Sequence, residues 1–272
     1  MSRLLRCVTL SLLGVAVSLA SFPAPAADKR PPQPAAAAPA QARVVPAVFA
    51  RGETLAYTAT LNELPAGDVE IRLRKERQDE REVYRITAQA RTGELIDYLY
   101  RLRGSADGTF TANGFTPLLF RLTYTEGERQ RELGVRYDPA AKTLRGSMKK
   151  RERVKERSVP AVDVYDPITA LYLLRSRDLT PGTPLQVEVF TGKERYRIVA
   201  QVVRKEDVQL TSGVRPAIRL HPEVFSLDDA PQENLLPQET TLWVTVDGTH
   251  TPLKLESFVP IGKVVVELSN GS

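Results

Sequence analysis

From about Val48 onward, apolar and polar positions alternate with period two. Leu55, Tyr57 and Ala59 stand between polar neighbours, and Val69, Ile71 and Leu73 alternate with Glu70, Arg72 and Arg74. Tyr84, Ile86, Ala88 and Ala90 repeat the pattern, as do Leu118, Phe120, Leu122 and Tyr124. Leu185, Val187 and Val189 follow, then Tyr196, Ile198 and Ala200. The closing runs are Leu242, Val244 and Val246, then Leu253 and Leu255, then Val264, Val266 and Leu268. Strict alternation places one face of each strand in a core and the other in water, the habit of antiparallel sheets. Turn signals punctuate the runs at Pro65-Ala66-Gly67, Asp107-Gly108, Asn113-Gly114, Glu126-Gly127, Pro181-Gly182 and Asp247-Gly248. Many short strands at hairpin spacing predict a barrel, a half-barrel or a sandwich.

Two segments break the rhythm. Leu95 to Leu102 has helical spacing at Leu95, Ile96, Tyr98, Leu99 and Leu102. Asp166 to Arg177 is the stronger helix: Asp166 suits an N-cap, Pro167 suits the first helical position, and Ile168, Leu171, Tyr172 and Arg175 share a face. Arg175 and Arg177 fall where a helix dipole favours cations, and Pro181-Gly182 ends the element. The predicted fold is mainly β, a curved antiparallel sheet forming a half-barrel or open barrel, with one or two short covering helices. Trp243 and Tyr172 are expected in the core, and Glu53 is expected to pair with a basic residue that fixes the first strand.

The N-terminus has a different grammar. Arg3 and Arg6 precede an uncharged run from Cys7 to Ala20, and Ala24-Pro25-Ala26 offers small residues for cleavage before Ala27. Residues 1–26 therefore read as a secretory signal peptide, and the apolar run is too short to span a bilayer. Residues 27–47, with Pro31, Pro32, Pro34, the Ala35–Ala38 run, Pro39 and Pro46, read as an extended tether. Residues 48–272 then form a single β-rich domain, a split near 150–165 being the alternative. This predicts a periplasmic protein with no spanning segment after cleavage.

Composition narrows the chemistry. The single Cys, Cys7, leaves with the signal, so disulfide and thiol chemistry go with it. Removing Arg3 and Arg6 lowers the formal charge from +5 to 5 − 2 = +3, too little to imply nucleic acid. His221 and His250 are the only histidines, and His250 follows a turn signal that suggests a solvated position, so no metal site is expected. Neither a G-x-S-x-G elbow nor a phosphate-binding glycine loop occurs, so no catalytic residue is assigned and no cofactor is called for. Lys149 to Arg157 holds six basic and two acidic residues, a local net of 6 − 2 = +4. Lys149, Lys150 and Arg151 are candidates for anionic head groups, against the plainer reading of a charged, solvated sheet edge. Asp166 and Arg175 look like an acid and an anion clamp, but a helix cap and a dipole partner account for them.

Phe49 to Tyr57 reads F-A-R-G-E-T-L-A-Y, Asp166 to Arg175 reads D-P-I-T-A-L-Y-L-L-R, and Ile261 to Leu268 reads I-G-K-V-V-V-E-L. In order and spacing, with Ala66-Gly67 and Pro181-Gly182, these resemble the exported bacterial family known as domain of unknown function 3108 over residues 48–269. The resemblance implies a signal peptide and a β-rich fold related to the lipoprotein-carrier (LolA/LolB-like) half-barrels, whose curved sheet and helical lid hold acyl chains. It implies no activity or catalytic residue. The expectation is a non-enzymatic periplasmic module that takes an apolar or acylated ligand, a lipid or a lipoprotein, against the stripe Leu118, Phe120, Leu122 and Tyr124. The alternative is a structural envelope protein with a filled core that binds a protein partner; a hydrolase is the weakest reading.

Overall fold

The computed structural model describes residues 45–98, 101–228, 234–237 and 239–271. The expected signal segment and all but the last few residues of the expected tether lie outside them. Fifteen strands form one sheet. The first meander comprises β1 (Glu53–Leu61), β2 (Leu64–Gln78), β3 (Arg81–Thr92), β4 (Leu102–Thr111), β5 (Pro117–Glu126), β6 (Arg129–Asp138), β7 (Thr143–Lys150) and β8 (Arg153–Pro160). The second comprises β9 (Val164–Tyr165), β10 (Pro184–Phe190), β11 (Arg195–Leu210), β12 (Gly213–Ser226), β13 (Thr241–Thr245), β14 (Pro252–Val259) and β15 (Gly262–Gly271). The meanders join where β1 pairs with β15, and β8 and β9 form the two edges. The sheet curves into a nearly closed barrel with one seam. All neighbours are antiparallel except the short β9–β10 pair.

Among the described residues three short helices complete the fold: α1 (Ala47–Arg51), α2 (Glu94–Asp97) and α3 (Pro167–Arg175). The expected alternation from Val48 is helical up to Arg51, because Phe49 must turn into the core and Gly52, at φ 83°, then redirects the chain into β1. The helix expected over Leu95–Leu102 is a single turn: Leu102 already belongs to β4, where its backbone N–H donates to Thr92 Oγ1. The expected turn at Pro65-Ala66-Gly67 sits at Asn62-Glu63, both at positive φ, and Ala66 marks a bulge within β2. Val246 lies just beyond β13 and is exposed.

Asp107-Gly108, read as a turn, lies in the middle of β4. Its glycine serves packing. A Cβ on Gly108 would stand 2.8 Å from Ile168 Cγ2, so the missing side chain is what lets α3 approach the sheet. Around α3, Phe49, Tyr84, Phe110, Phe115 and Tyr172 form a buried aromatic cluster with ring centroids 5.1–6.0 Å apart. α3 starts as the sequence predicts. The Asp166 carboxylate accepts from the N–H groups of Ile168 (2.9 Å) and Thr169 (3.1 Å), and Pro167 occupies the first turn.

The seam is closed by side chains. The Phe190 ring at the end of β10 lies over Gly146 of β7, and Gly192 lies against the Gly134 carbonyl of β6. Arg157 of β8 reaches across to Asp228 and to the Lys193 carbonyl (3.3 Å).

Two predictions follow from this packing. A Cβ on Gly146 would meet Phe190 Cζ at 2.3 Å and Gly192 O at 2.5 Å. Gly146→Ala should therefore destabilise the protein by about 1–3 kcal/mol, read as a lower urea midpoint; an unchanged midpoint would show that the seam is not packed this way. Burial of Asp166 raises its pKa to about 6 against the hydrogen bonds that favour its charge. Because the folded value lies above the unfolded 3.8, this group's contribution to stability is greatest at low pH and is lost as pH climbs to about 6. Asp166→Asn keeps an acceptor for the helix N-terminus and removes the titration. The stability of wild type relative to this variant should fall between about pH 4 and pH 6 and level off above, measured by denaturant unfolding across pH.

Candidate functional site

The first and last helices meet over a buried ion pair. Glu53 is the first residue of β1 and Arg175 the last of α3, and both are buried. The guanidinium lies against both carboxylate oxygens, Nη1 to Oε1 and Nη2 to Oε2 at 3.0 Å, and donates to Thr251 Oγ1 at 3.0 Å and the Thr249 carbonyl at 3.3 Å. Its faces are covered by Phe49 (5.0 Å) and Tyr172 (5.1 Å). Burial opposes the charge of Arg175 most strongly, but the hydrogen bonds and charge of Glu53 together with Tyr172 and Tyr57 outweigh it and raise its pKa. Burial also keeps the neighbouring Tyr172 and Tyr57 hydroxyls neutral, well above the usual tyrosine range. The Tyr57 hydroxyl donates to the Pro252 carbonyl at 3.2 Å.

The expectation that Glu53 anchors the first strand is met, and its partner is Arg175. The dipole role assigned to Arg175 is overturned, since its side chain turns inward to the carboxylate. His250 serves that end of the helix instead. It is half-buried at φ 46°, and its Nδ1 lies 2.9 Å from the Arg175 carbonyl, which fixes the tautomer as Nδ1–H. His221 Nδ1 contacts the Thr240 carbonyl at 3.0 Å. Among the described residues no three His, Cys, Asp or Glu side chains cluster as metal ligands.

The predicted apolar stripe divides. Phe120, Leu122 and Tyr124 are only 2%, 2% and 6% accessible and pack in the main core with Leu133, Val135, Leu144 and Phe190. Leu118 leaves the stripe because it is the extra residue of a bulge in β5: Thr109 pairs with Leu119 and Phe110 with Pro117, so Pro117 turns inward in its place. Trp243 is half-buried rather than core: Nε1 donates to Glu206 at 2.8 Å, and Arg219 and Lys254 flank the ring at 5.9 and 5.8 Å. Lys149, Lys150 and Arg151 form the exposed β7–β8 hairpin at the sheet edge, with Arg151 at φ 56° in its turn.

A cavity of about 620 Å³ lies elsewhere, open to solvent beside α1 and β2. Arg51, Arg72, Arg74, Lys75 and Glu76 line it. Arg72 is paired with Glu70 at 2.8 Å and Lys75 with Glu82 at 2.7 Å. Sequence reading missed this groove because its basic residues are the outward half of an ordinary alternating strand.

The ion pair is the most sensitive point. Arg175→Met should leave Glu53 buried without its partner and destabilise by about 3–5 kcal/mol. The double variant Glu53→Leu with Arg175→Met should recover most of that, because no uncompensated charge remains. Equal loss in single and double variants, read from urea unfolding, would show the pair is not the constraint.

No curated protein matches the sequence significantly. Among solved structures, the chain is similar to a β-barrel-like protein of domain of unknown function DUF1849 from Brucella abortus, with 9% identity and a TM-score of 0.52 over 85% of this chain and 98% of that one. It also matches a protein with a YmcC-like fold from Bacteroides fragilis at 7% identity and a TM-score of 0.32, over 81% of this chain and 95% of that one. At such identity the Brucella likeness speaks of the fold alone. The family described as Protein of unknown function (DUF3108) matches residues 56–269, from within β1 to within β15, and the chain belongs to that family.

Proposed function

We propose that this chain is a non-enzymatic envelope protein whose barrel is packed and which works through its outer surface, not as a carrier of acyl chains. The observation that carries this reading is the burial of Phe120, Leu122 and Tyr124. A trough wide enough for an acyl chain leaves its lining accessible from within, yet these side chains retain 2%, 2% and 6% of their surface. α3 and its aromatic cluster take up a further part of the interior. The signal-like segment at residues 1–26 supports export to the periplasm, and the polar character of the groove beside α1 does not favour an apolar ligand.

Native mass spectrometry with lipid extraction, on protein purified from the periplasm, tests the reading. The expected spectrum is that of the bare chain beginning near Ala27. Leu122→Glu should lower the unfolding midpoint sharply, since it places a charge in a filled core. Stoichiometric recovery of an acyl lipid, or a stable Leu122→Glu protein that has lost it, would restore the carrier.

A further inference from the structure

The exposed apolar side chains are unevenly placed. The connections β1–β2, β3–β4, β5–β6, β7–β8 and β14–β15 all leave the barrel at the end opposite Glu53. They are stitched to one another. Asn62 N–H donates to the Lys263 carbonyl at 2.8 Å, and its side chain bonds Ile261 O and Lys263 N–H. Gly93 N–H donates to the Ala66 carbonyl at 2.9 Å, and Gly127 N–H to the Arg101 carbonyl at 3.0 Å. Lys150 of the last hairpin is in register with Arg131 of β6. The five turns therefore form one continuous arc of rim.

Along this arc stand Leu64, Leu95, Tyr98, Val154 and Phe258, all exposed, with Tyr98 at 91%. Among the described residues the two exposed aromatic residues of this kind, Tyr98 and Phe258, are both here, whereas the opposite end exposes valines such as Val162 and Val246. A row of large apolar side chains on tightly tied turns gains nothing for folding. Beside it the β7–β8 hairpin presents Lys149, Lys150, Arg151 and Arg153 with Glu152 as its one acid in that run, all exposed. Acidic residues recur nearer the apolar turns, at Glu63, Glu94 and Glu128. The cationic charge is thus concentrated at one end of the arc, with the β5–β6 turn between it and Leu95 and Tyr98.

We propose that this rim docks on an anionic bilayer surface. Leu95, Tyr98, Leu64 and Phe258 enter the head-group boundary, where tyrosine and other amphipathic rings are favoured, and the β7–β8 hairpin lies over anionic head groups. The barrel rests on the membrane by its end, with the Glu53–Arg175 end turned away. This deepens the reading of a surface-acting envelope protein and rests on it.

Flotation of purified protein with vesicles of phosphatidylcholine, with and without phosphatidylglycerol, tests the proposal. Binding should require the anionic lipid and weaken with salt. Replacing Lys149, Lys150 and Arg151 by Gln should weaken it about a hundredfold at low salt, at roughly tenfold or less per cation. Leu95→Ser with Tyr98→Ser should weaken it about tenfold or more, with an unchanged urea midpoint because both side chains are exposed. Val162→Ser with Val246→Ser, at the other end, should leave it unchanged. Failure of wild type to float with anionic vesicles, or equal loss from substitutions at both ends, overturns the rim assignment. Removal of lipid from the vesicles into a soluble complex would instead overturn the packed-barrel reading, so the two failures are distinguishable.

Discussion

Taking a guanidinium and a carboxylate out of water costs several kcal/mol per ion, and their attraction offsets this only when the geometry is close and the remaining donors are satisfied. Arg175 and Glu53 meet both conditions, since two nitrogens face the carboxylate and the rest of the guanidinium is held by Thr249 and Thr251. The partners lie 122 residues apart in sequence. Glu53 opens β1, the strand on which the two meanders join, and Arg175 closes the helix that connects β9 to β10. One contact therefore sets the position of α3 against the junction of the sheet. The β13–β14 turn is drawn in as well, because its Thr249, His250 and Thr251 all bond Arg175.

A helix fixed in this way has to be given room, and the sheet yields it. Gly108 faces Ile168 directly, and α3 places Ala170, Tyr172 and Leu173 among Phe49, Phe110 and Phe115. At the seam the same device recurs, with Phe190 taking the open position at Gly146. Missing side chains on the strands are filled by side chains from elsewhere in the chain. That reciprocity is the signature of an interior evolved to be occupied by the protein itself, and it is why the packed reading of the barrel has more physical support than an open trough.

The same glycines explain what was legible in the sequence. Strands whose inner row is uniformly apolar, such as β3 with Tyr84, Ile86, Ala88 and Ala90, are plain from alternation. In β4 and β7 the inner rows contain Gly108 and Gly146, so alternation fades and a mid-strand glycine imitates a turn. Bulges hide register in the same manner: Leu118 reads as the start of the β5 stripe, but the offset opposite Phe110 moves it off that face. For the candidate site, both partners of the ion pair were visible as residues, and Glu53 was even marked as needing a cation. Arg175 was assigned elsewhere because the end of a helix already offers a cation a local reason to be there, and only the fold brings Glu53 within reach.

In the packed barrel proposed, a surface function has few places to reside. β8 offers a free edge, but Arg153, Lys155, Glu156 and Arg157 line it with charge, and Arg157 is spent across the seam on Asp228. Charged side chains on an edge strand discourage pairing with another chain. The Glu53 end is locked by α1, α3 and the β13–β14 turn, and its nearby groove carries partly neutralised cations. Trp243, the largest half-exposed ring on the sheet's face, is already held between Arg219 and Lys254 and bonded to Glu206. The far rim differs from all of these, because Leu64, Leu95 and Tyr98 stand exposed on turns that hydrogen bonds tie to one another, beside Phe258 with Lys263 over its ring at 5.8 Å. Exposed apolar side chains on turns tied together in this way are what the proposed docking would use.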